Sequence, residues 1–149
     1  FTEVKELVKQ RAPALKNYRI RRVDTPFGLD HPVWHDDVRN IDFDYHIRRV
    51  RLPAPGSLEQ LEAACARIAA APMDMTRPLW EYHLIEGLKG NRVCLVIKIH
   101  HAVIDGESGV MQLDLIMDKT PEPRRLAPPA DLPAGTEAPH VWELLSDAF

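Results

Sequence analysis

The sequence is poor in cysteine, has no long apolar run and carries no large excess of either charge. Cys65 and Cys94 are the two cysteines among 149 residues, each set in an apolar pattern, and no CxxC spacing occurs. This excludes a disulfide-stapled scaffold and the usual zinc or dithiol framework, and fits buried free thiols in a reducing compartment. The longest apolar run, Val93 to Ile97, falls far short of the ~20 residues a membrane-crossing helix needs. A formal net charge of −3 gives no whole-chain reason to expect nucleic acid as a partner.

Basic residues do cluster locally. Lys5, Lys9, Arg11, Lys16, Arg19, Arg21 and Arg22 outnumber the acids near the start, and Arg48, Arg49 and Arg51 form a second group. Solvated faces are the plain reading, with an anionic cofactor, phospholipid headgroups or a partner domain as the functional one. At 45% hydrophobic and 28% charged residues, the chain suits one globular domain that buries roughly 70% of its unfolded surface. Because it opens on Phe1 and stops in a helical pattern, it reads as an excerpt.

The periodicities sketch an order of elements. Val4, Leu7 and Val8 predict a short helix ended by Pro13, and Tyr18 to Val23 reads as extended. Ile41, Phe43, Tyr45 and Ile47 alternate with Asp42, Asp44 and His46, the period of a half-buried strand, and the phase slip between Ile47 and Val50 predicts a bulge or a change of neighbour there. Ser57 and Gln60 form a capping-box signature for a helix that runs to Pro72. Trp80 to Ile85 and Arg92 to about His100 predict a hairpin about Gly87, Gly90 and Asn91. The second strand, apolar on both sides, is expected to be central and covered.

Val110, Leu113, Ile116 and Met117 continue as a helix after Gly106. Six of the thirteen prolines then lie between Pro121 and Pro139, which marks a linker. The organisation expected is therefore a lobe over 1–120 that is incomplete at its start, a Pro-rich linker over 121–139, and over 140–149 the start of a truncated helix. The fold class is α+β, a two-layer sandwich of helices on a mixed, largely antiparallel sheet.

Chemistry concentrates in His100-His101-Ala102-Val103-Ile104-Asp105-Gly106, where an apolar strand ends and a loop leads into a helix. Strand alternation should send His100 and His101 to opposite faces, which argues against a metal pair, and no further ligands stand at zinc spacing. An imidazole in a cleft can take a proton near neutral pH, and such a base contributes typically 10²- to 10⁴-fold in rate. A packed histidine pair is the plain alternative. Asp105 can fix the loop through a charge pair, and Gly106 permits a tight turn. Gly106-Glu107-Ser108-Gly109 resembles a nucleophile elbow only briefly, because that motif wants glycine two residues after the serine and position 110 is Val110.

HHAVIDG matches the HHxxxDG signature shared by acyltransferases of the chloramphenicol acetyltransferase-like fold and by condensation domains of nonribosomal peptide synthetases. Pro78-Leu79-Trp80, at the expected distance upstream, resembles the PLW segment of bacterial wax ester synthase/diacylglycerol acyltransferases. The resemblance is strong over Pro78 to Asp118 and looser over Phe1 to Met75. It implies one lobe, the N-terminal one, of a two-lobed cytoplasmic enzyme that moves a long-chain acyl group from acyl-CoA to diacylglycerol or a long-chain alcohol.

In such an enzyme His101 is the general base, His100, Asp105 and Gly106 support it, and Pro78, Leu79 and Trp80 form a structural motif. Arg11, Lys16 and Arg19 are candidate cations for Asp105. No bound cofactor or metal is implied, and acyl-CoA is a co-substrate. The C-terminal lobe of the same protein is the expected partner, nucleic acid is not, and a peripheral contact with a membrane or lipid-droplet surface stays open. Two alternatives remain: an amide-forming, condensation-domain-like acyltransferase on carrier-bound substrates, and a noncatalytic lobe that binds lipid or a partner. Trp80 reads as a packing residue, and His31, His35, His46, His83 and His140 as surface or packing residues.

Overall fold

The computed structural model describes residues 1–104, 106–120, 122, 124, 142 and 144. The Pro-rich segment and the final helix of the sequence reading lie largely outside the described residues. The chain opens with α1 (Thr2–Arg11), which buries Val8 and ends, as Pro13 requires, in a 3-10 turn over Ala12–Ala14. A single helical turn, α2 (Lys16–Arg19), leads into β1 (Ile20–Val23), which pairs antiparallel with β2 (Val33–Asp36) as a separate two-stranded sheet. The extended stretch expected from Tyr18 thus begins two residues later.

The strand expected over 41–47 is corrected more substantially. Asp42 accepts the backbone N–H of Tyr45 at 3.1 Å and caps the helical turn α3 (Phe43–His46), so β3 (Ile47–Arg51) starts only at Ile47. The buried imidazole of His46 donates from Nδ1 to the carbonyl of Trp80 at 2.7 Å. His46 therefore belongs to the core and not to the exposed face that alternation assigned it. The phase slip before Val50 is no bulge: Ile47 and Val50 lie in unbroken register with β4 and pack on opposite faces of the sheet, and the register shift falls elsewhere, between Ile85 and Leu88.

Next comes α4 (Leu58–Ala70), with both halves of its capping box formed: Gln60 N–H to Ser57 Oγ at 3.3 Å and Ser57 N–H to Gln60 Oε1 at 2.8 Å. It is followed by β4 (Trp80–Leu88) and β5 (Arg92–Ile99), which form the expected hairpin. β4 is the middle strand, parallel to β3 on one side and antiparallel to β5 on the other, so the sheet is mixed. Among the described strands β5, expected to be central, stands at the edge. Its apolar residues on both sides report that both faces of the sheet are covered; side-chain periodicity says nothing about which edges are paired.

Helices do cover both faces. On one, Val8 of α1 and Ile116 of α5 (Gly106–Ile116) pack with Tyr18, Ile47, Trp80 and Tyr82, and the near sides of Leu95, Ile97 and Ile99 join them. On the other, Ala64, Leu61, Cys65 and Ile68 of α4 meet Leu52, Ile85, Leu88, Cys94 and Val96. The α+β class stands, with the helical layer divided between the two sides. No described helix is long and apolar enough to cross a membrane.

Candidate functional site

The histidine loop hangs from the end of β5. The backbone N–H of His100 donates to the carbonyl of Leu79 at 3.0 Å, and Trp80 stands opposite Ile99 in the β4–β5 ladder. The two sequence motifs, distant along the chain, thus meet through the sheet. His100 caps a 3-10 turn over His101–Val103, and its Nδ1 accepts the N–H of Ala102 at 3.1 Å. That nitrogen is therefore unprotonated, and the ring is tied to its own turn. Val103 is buried and pins the turn from below, while His101 is exposed.

Both imidazoles line one surface hollow of about 480 Å³, whose other walls include Ala69, Ala71, Pro72, Met73, Met75 and Ile99. The opposite-face expectation for the pair fails here because the strand ends at Ile99, and a 3-10 turn replaces strand alternation. A larger hollow of about 660 Å³ lies across the same 71–73 segment, lined by Arg48, Arg67, Glu81 and His83 among others. Chemistry, not size, singles out the smaller one, which holds the two imidazoles.

Behind the loop, Leu79 and Trp80 are fully buried. The Trp80 indole N–H donates to the carbonyl of Tyr18 at 2.9 Å, and its ring stacks on His46 at 4.1 Å and lies 4.8 Å from Tyr18. Tyr18 and Tyr82 share a hydrogen bond of 2.8 Å between their hydroxyls, and burial pushes both phenols above their ordinary pKa, so both stay neutral. Burial pushes the His46 imidazole the other way, down, which keeps it neutral too.

Gly106 opens α5, so Ser108 falls in that helix's first turn, away from any nucleophile elbow. Asp105 lies outside the described residues. Of its candidate cations, Arg11 is buried and binds the carbonyl of Ile116 at 2.6 Å and both oxygens of Asp118 at 3.0 and 2.7 Å. Arg19 binds Asp36 at 2.8 Å and the carbonyl of Pro13 at 2.9 Å. Much of the N-terminal basic cluster is similarly engaged, with Arg21 on Asp37, Arg22 on Asp24 and Lys5 on Asp44.

Two features escaped the sequence reading. His83 donates from Nε2 to Glu81 at 2.9 Å, and both are buried; their spacing of two along a strand was the available signal. Lys98 bonds backbone carbonyls at the end of α4. A lone lysine in an apolar strand was its signal, since a cation so placed must find partners.

Residues 1–147 match the wax ester synthase/diacylglycerol acyltransferase catalytic domain. The chain belongs to the wax ester synthase/diacylglycerol acyltransferase family. A probable diacylglycerol O-acyltransferase of Mycobacterium tuberculosis, tgs3, is 47% identical over 118 residues, covering 79% of this chain and 43% of its own length. A second, putative diacylglycerol O-acyltransferase of that organism is 40% identical over 134 residues, 89% of this chain and 28% of its own. The chain therefore spans less than half the length of these relatives.

Among solved structures, the wax ester synthase/diacylglycerol acyltransferase of Marinobacter aquaeolei VT8 superposes with a TM-score of 0.55 at 34% identity, over 71% of this chain and 28% of that one. The first condensation domain of the calcium-dependent antibiotic synthetase gives 0.60 at 16% identity, over 77% and 27%. That second likeness shows the fold alone. In this chain the PLW segment is buried and the histidine loop is exposed.

Proposed function

We propose that this chain is the histidine-bearing lobe of an acyl-CoA-dependent O-acyltransferase that esterifies diacylglycerol or a long-chain alcohol, with His101 as general base. The observation that carries the reading is the placement of His101 on the wall of a hollow lined mainly by apolar residues and by Lys98, at the end of a strand whose neighbour holds the PLW segment. An imidazole there can take the proton of an acceptor hydroxyl as its oxygen attacks the thioester carbonyl. The carbon–sulfur bond then breaks, and the imidazolium returns the proton to the departing CoA thiolate. The alcohol is the nucleophile, so no acyl-enzyme is formed.

His100 holds the loop through its bonds to Leu79 and Ala102. Asp105 and Gly106 complete the motif, the first by pairing with a cation and the second at the start of α5. The second lobe supplies the opposite wall. In the complete protein, acyl transfer from a labelled long-chain acyl-CoA to a fatty alcohol or to diacylglycerol should fall by about 10²- to 10⁴-fold in His101→Ala, with thermal unfolding unchanged. Retained ester formation in that variant would remove the base assignment. The amide-forming alternative draws on the fold alone, and transfer only from carrier-bound donors would favour it.

A further inference from the structure

Lys98 is a cation in a strand that is otherwise apolar from Val93 to Ile99. Glu81 stands opposite it across the β4–β5 ladder, but that carboxylate is taken by His83 at 2.9 Å and Arg48 at 3.5 Å. The ammonium of Lys98 donates instead to the carbonyl of Ile68 at 2.8 Å and to that of Ala71. These acceptors belong to the last turn and C-cap of α4, where carbonyls lack helical partners and a cation is favoured by the helix dipole.

The segment that follows is pinned at its other end as well. Asp74 accepts the N–H and hydroxyl of Thr76 at 2.9 and 2.6 Å and the guanidinium of Arg77 at 3.3 Å. Arg77 in turn binds Asp42 at 3.0 Å and lies over the Tyr45 ring at 4.2 Å. Pro72 and Met73 run between these two polar anchors and Met75 lies within the second, all on the wall of the hollow that holds His101.

We propose that the Ala71–Met75 segment is the wall against which the straight hydrocarbon part of a substrate lies while its reacting end sits at His101. Met73 and Met75 make the contact, and Lys98 is the positioning residue that sets the distance between this wall and the histidine loop. The placement of the reacting end rests on the proposed function; the binding of the chain does not. Methionine suits such a wall because its unbranched thioether adapts to a flexible partner. Each methylene that the wall covers should tighten binding about fourfold, so the hollow reads chain length for as many methylenes as it holds.

The test uses the complete protein with octanol, dodecanol and hexadecanol, both as ligands in calorimetry and as acceptors in acyl transfer. Met75→Trp fills the hollow and should cost about tenfold or more in affinity for hexadecanol while binding of octanol changes by less than about threefold. Lys98→Met removes both carbonyl bonds and should raise KM for hexadecanol about tenfold with a smaller change in kcat, and Lys98→Arg should restore it. Thermal unfolding follows every variant, and Met75→Trp carries the test if Lys98→Met does not fold. Wild-type dependence on chain length in both Met75→Trp and Lys98→Met overturns the proposal. If the wild type transfers no acyl group yet its alcohol binding responds to Met75→Trp, the wall stands and the acyltransferase reading falls; transfer with an unaltered chain-length preference means the reverse.

Discussion

Replacing Arg11 by methionine should unfold the complete protein at clearly lower urea concentration. Methionine keeps most of the apolar stem and removes the guanidinium, which is 1% exposed and ties the end of α1 to the end of α5. Three groups lose a donor: the Ile116 carbonyl at 2.6 Å, the Asp118 carboxylate at 2.7 and 3.0 Å, and the Arg124 carbonyl at 3.1 Å. Asp118 keeps the Arg124 guanidinium at 2.7 Å, so its carboxylate is not abandoned, and the main loss falls on the carbonyls. The bond to Ile116, made by a charged donor, contributes about 1.5–3 kcal/mol. Together these give a loss of about 3 kcal/mol, a shift of roughly 1–3 M in the urea midpoint.

Lysine at position 11 keeps the charge but not the fork that spans carbonyl and carboxylate, and should recover about half of the loss. A double-mutant cycle with Asp118→Asn isolates the pair, for which a favourable coupling is expected. The hydrogen bonds from Arg11, then those from Arg124, hold the Asp118 carboxyl down to about 2. The stabilisation from this carboxylate should therefore be complete above about pH 4 and fade as pH falls towards 2. A change below about 1 kcal/mol in Arg11→Met would refute the account and return Arg11 to the solvated face that its sequence context suggested.

Two other perturbations follow from the core and the turns. Burial holds the His46 imidazole below its ordinary 6.5, so below that pH the unfolded chain takes up a proton that the folded one declines. Stability should hold above about pH 6.5 and fall on acidification by up to ~1.4 kcal/mol per pH unit; an identical slope in His46→Phe, followed by urea unfolding, would assign the effect elsewhere. A Cβ on Gly56 (φ +68°) would lie 1.9 Å from the carbonyl oxygen of Gly87, whereas one on Gly90 (φ +82°) meets nothing nearer than the Arg92 side chain at 3.8 Å. Gly56→Ala should thus cost about 3 kcal/mol or more and Gly90→Ala about 1–2 kcal/mol, the backbone strain alone; equal losses would contradict the close approach.

Where a residue pattern answered to one physical cause, the sequence was enough to place the element. The capping box at Ser57 and Gln60 located α4, and Gly90 and Asn91, both at positive φ, located the β4–β5 turn. The stretch over 41–47 misled because period-two apolarity arises from a strand and also from a capped turn whose residues face two different packing surfaces. Deciding between them required knowing that His46 reaches the Trp80 carbonyl, a contact thirty-four residues away in sequence. β5 was misplaced for a related reason: a strand's side chains record what covers its faces, while its position in the sheet depends on backbone pairing that every residue except proline can make.

The candidate site was legible as a motif but not as a shape. HHAVIDG and PLW were visible as separate words, and their meeting depends on the carbonyl of Leu79 accepting the N–H of His100, a bond between backbone atoms on which residue identity leaves no mark. The apolar wall beside His101 was hidden for the opposite reason. Its residues, Ala71 to Met75, straddle the end of the helix that Pro72 breaks, and Lys98, from another strand, holds that helix end at Ile68 and Ala71. The charge in the apolar strand was on view throughout. Its meaning lay in which carbonyls were left without partners nearby, and that is a property of the folded chain.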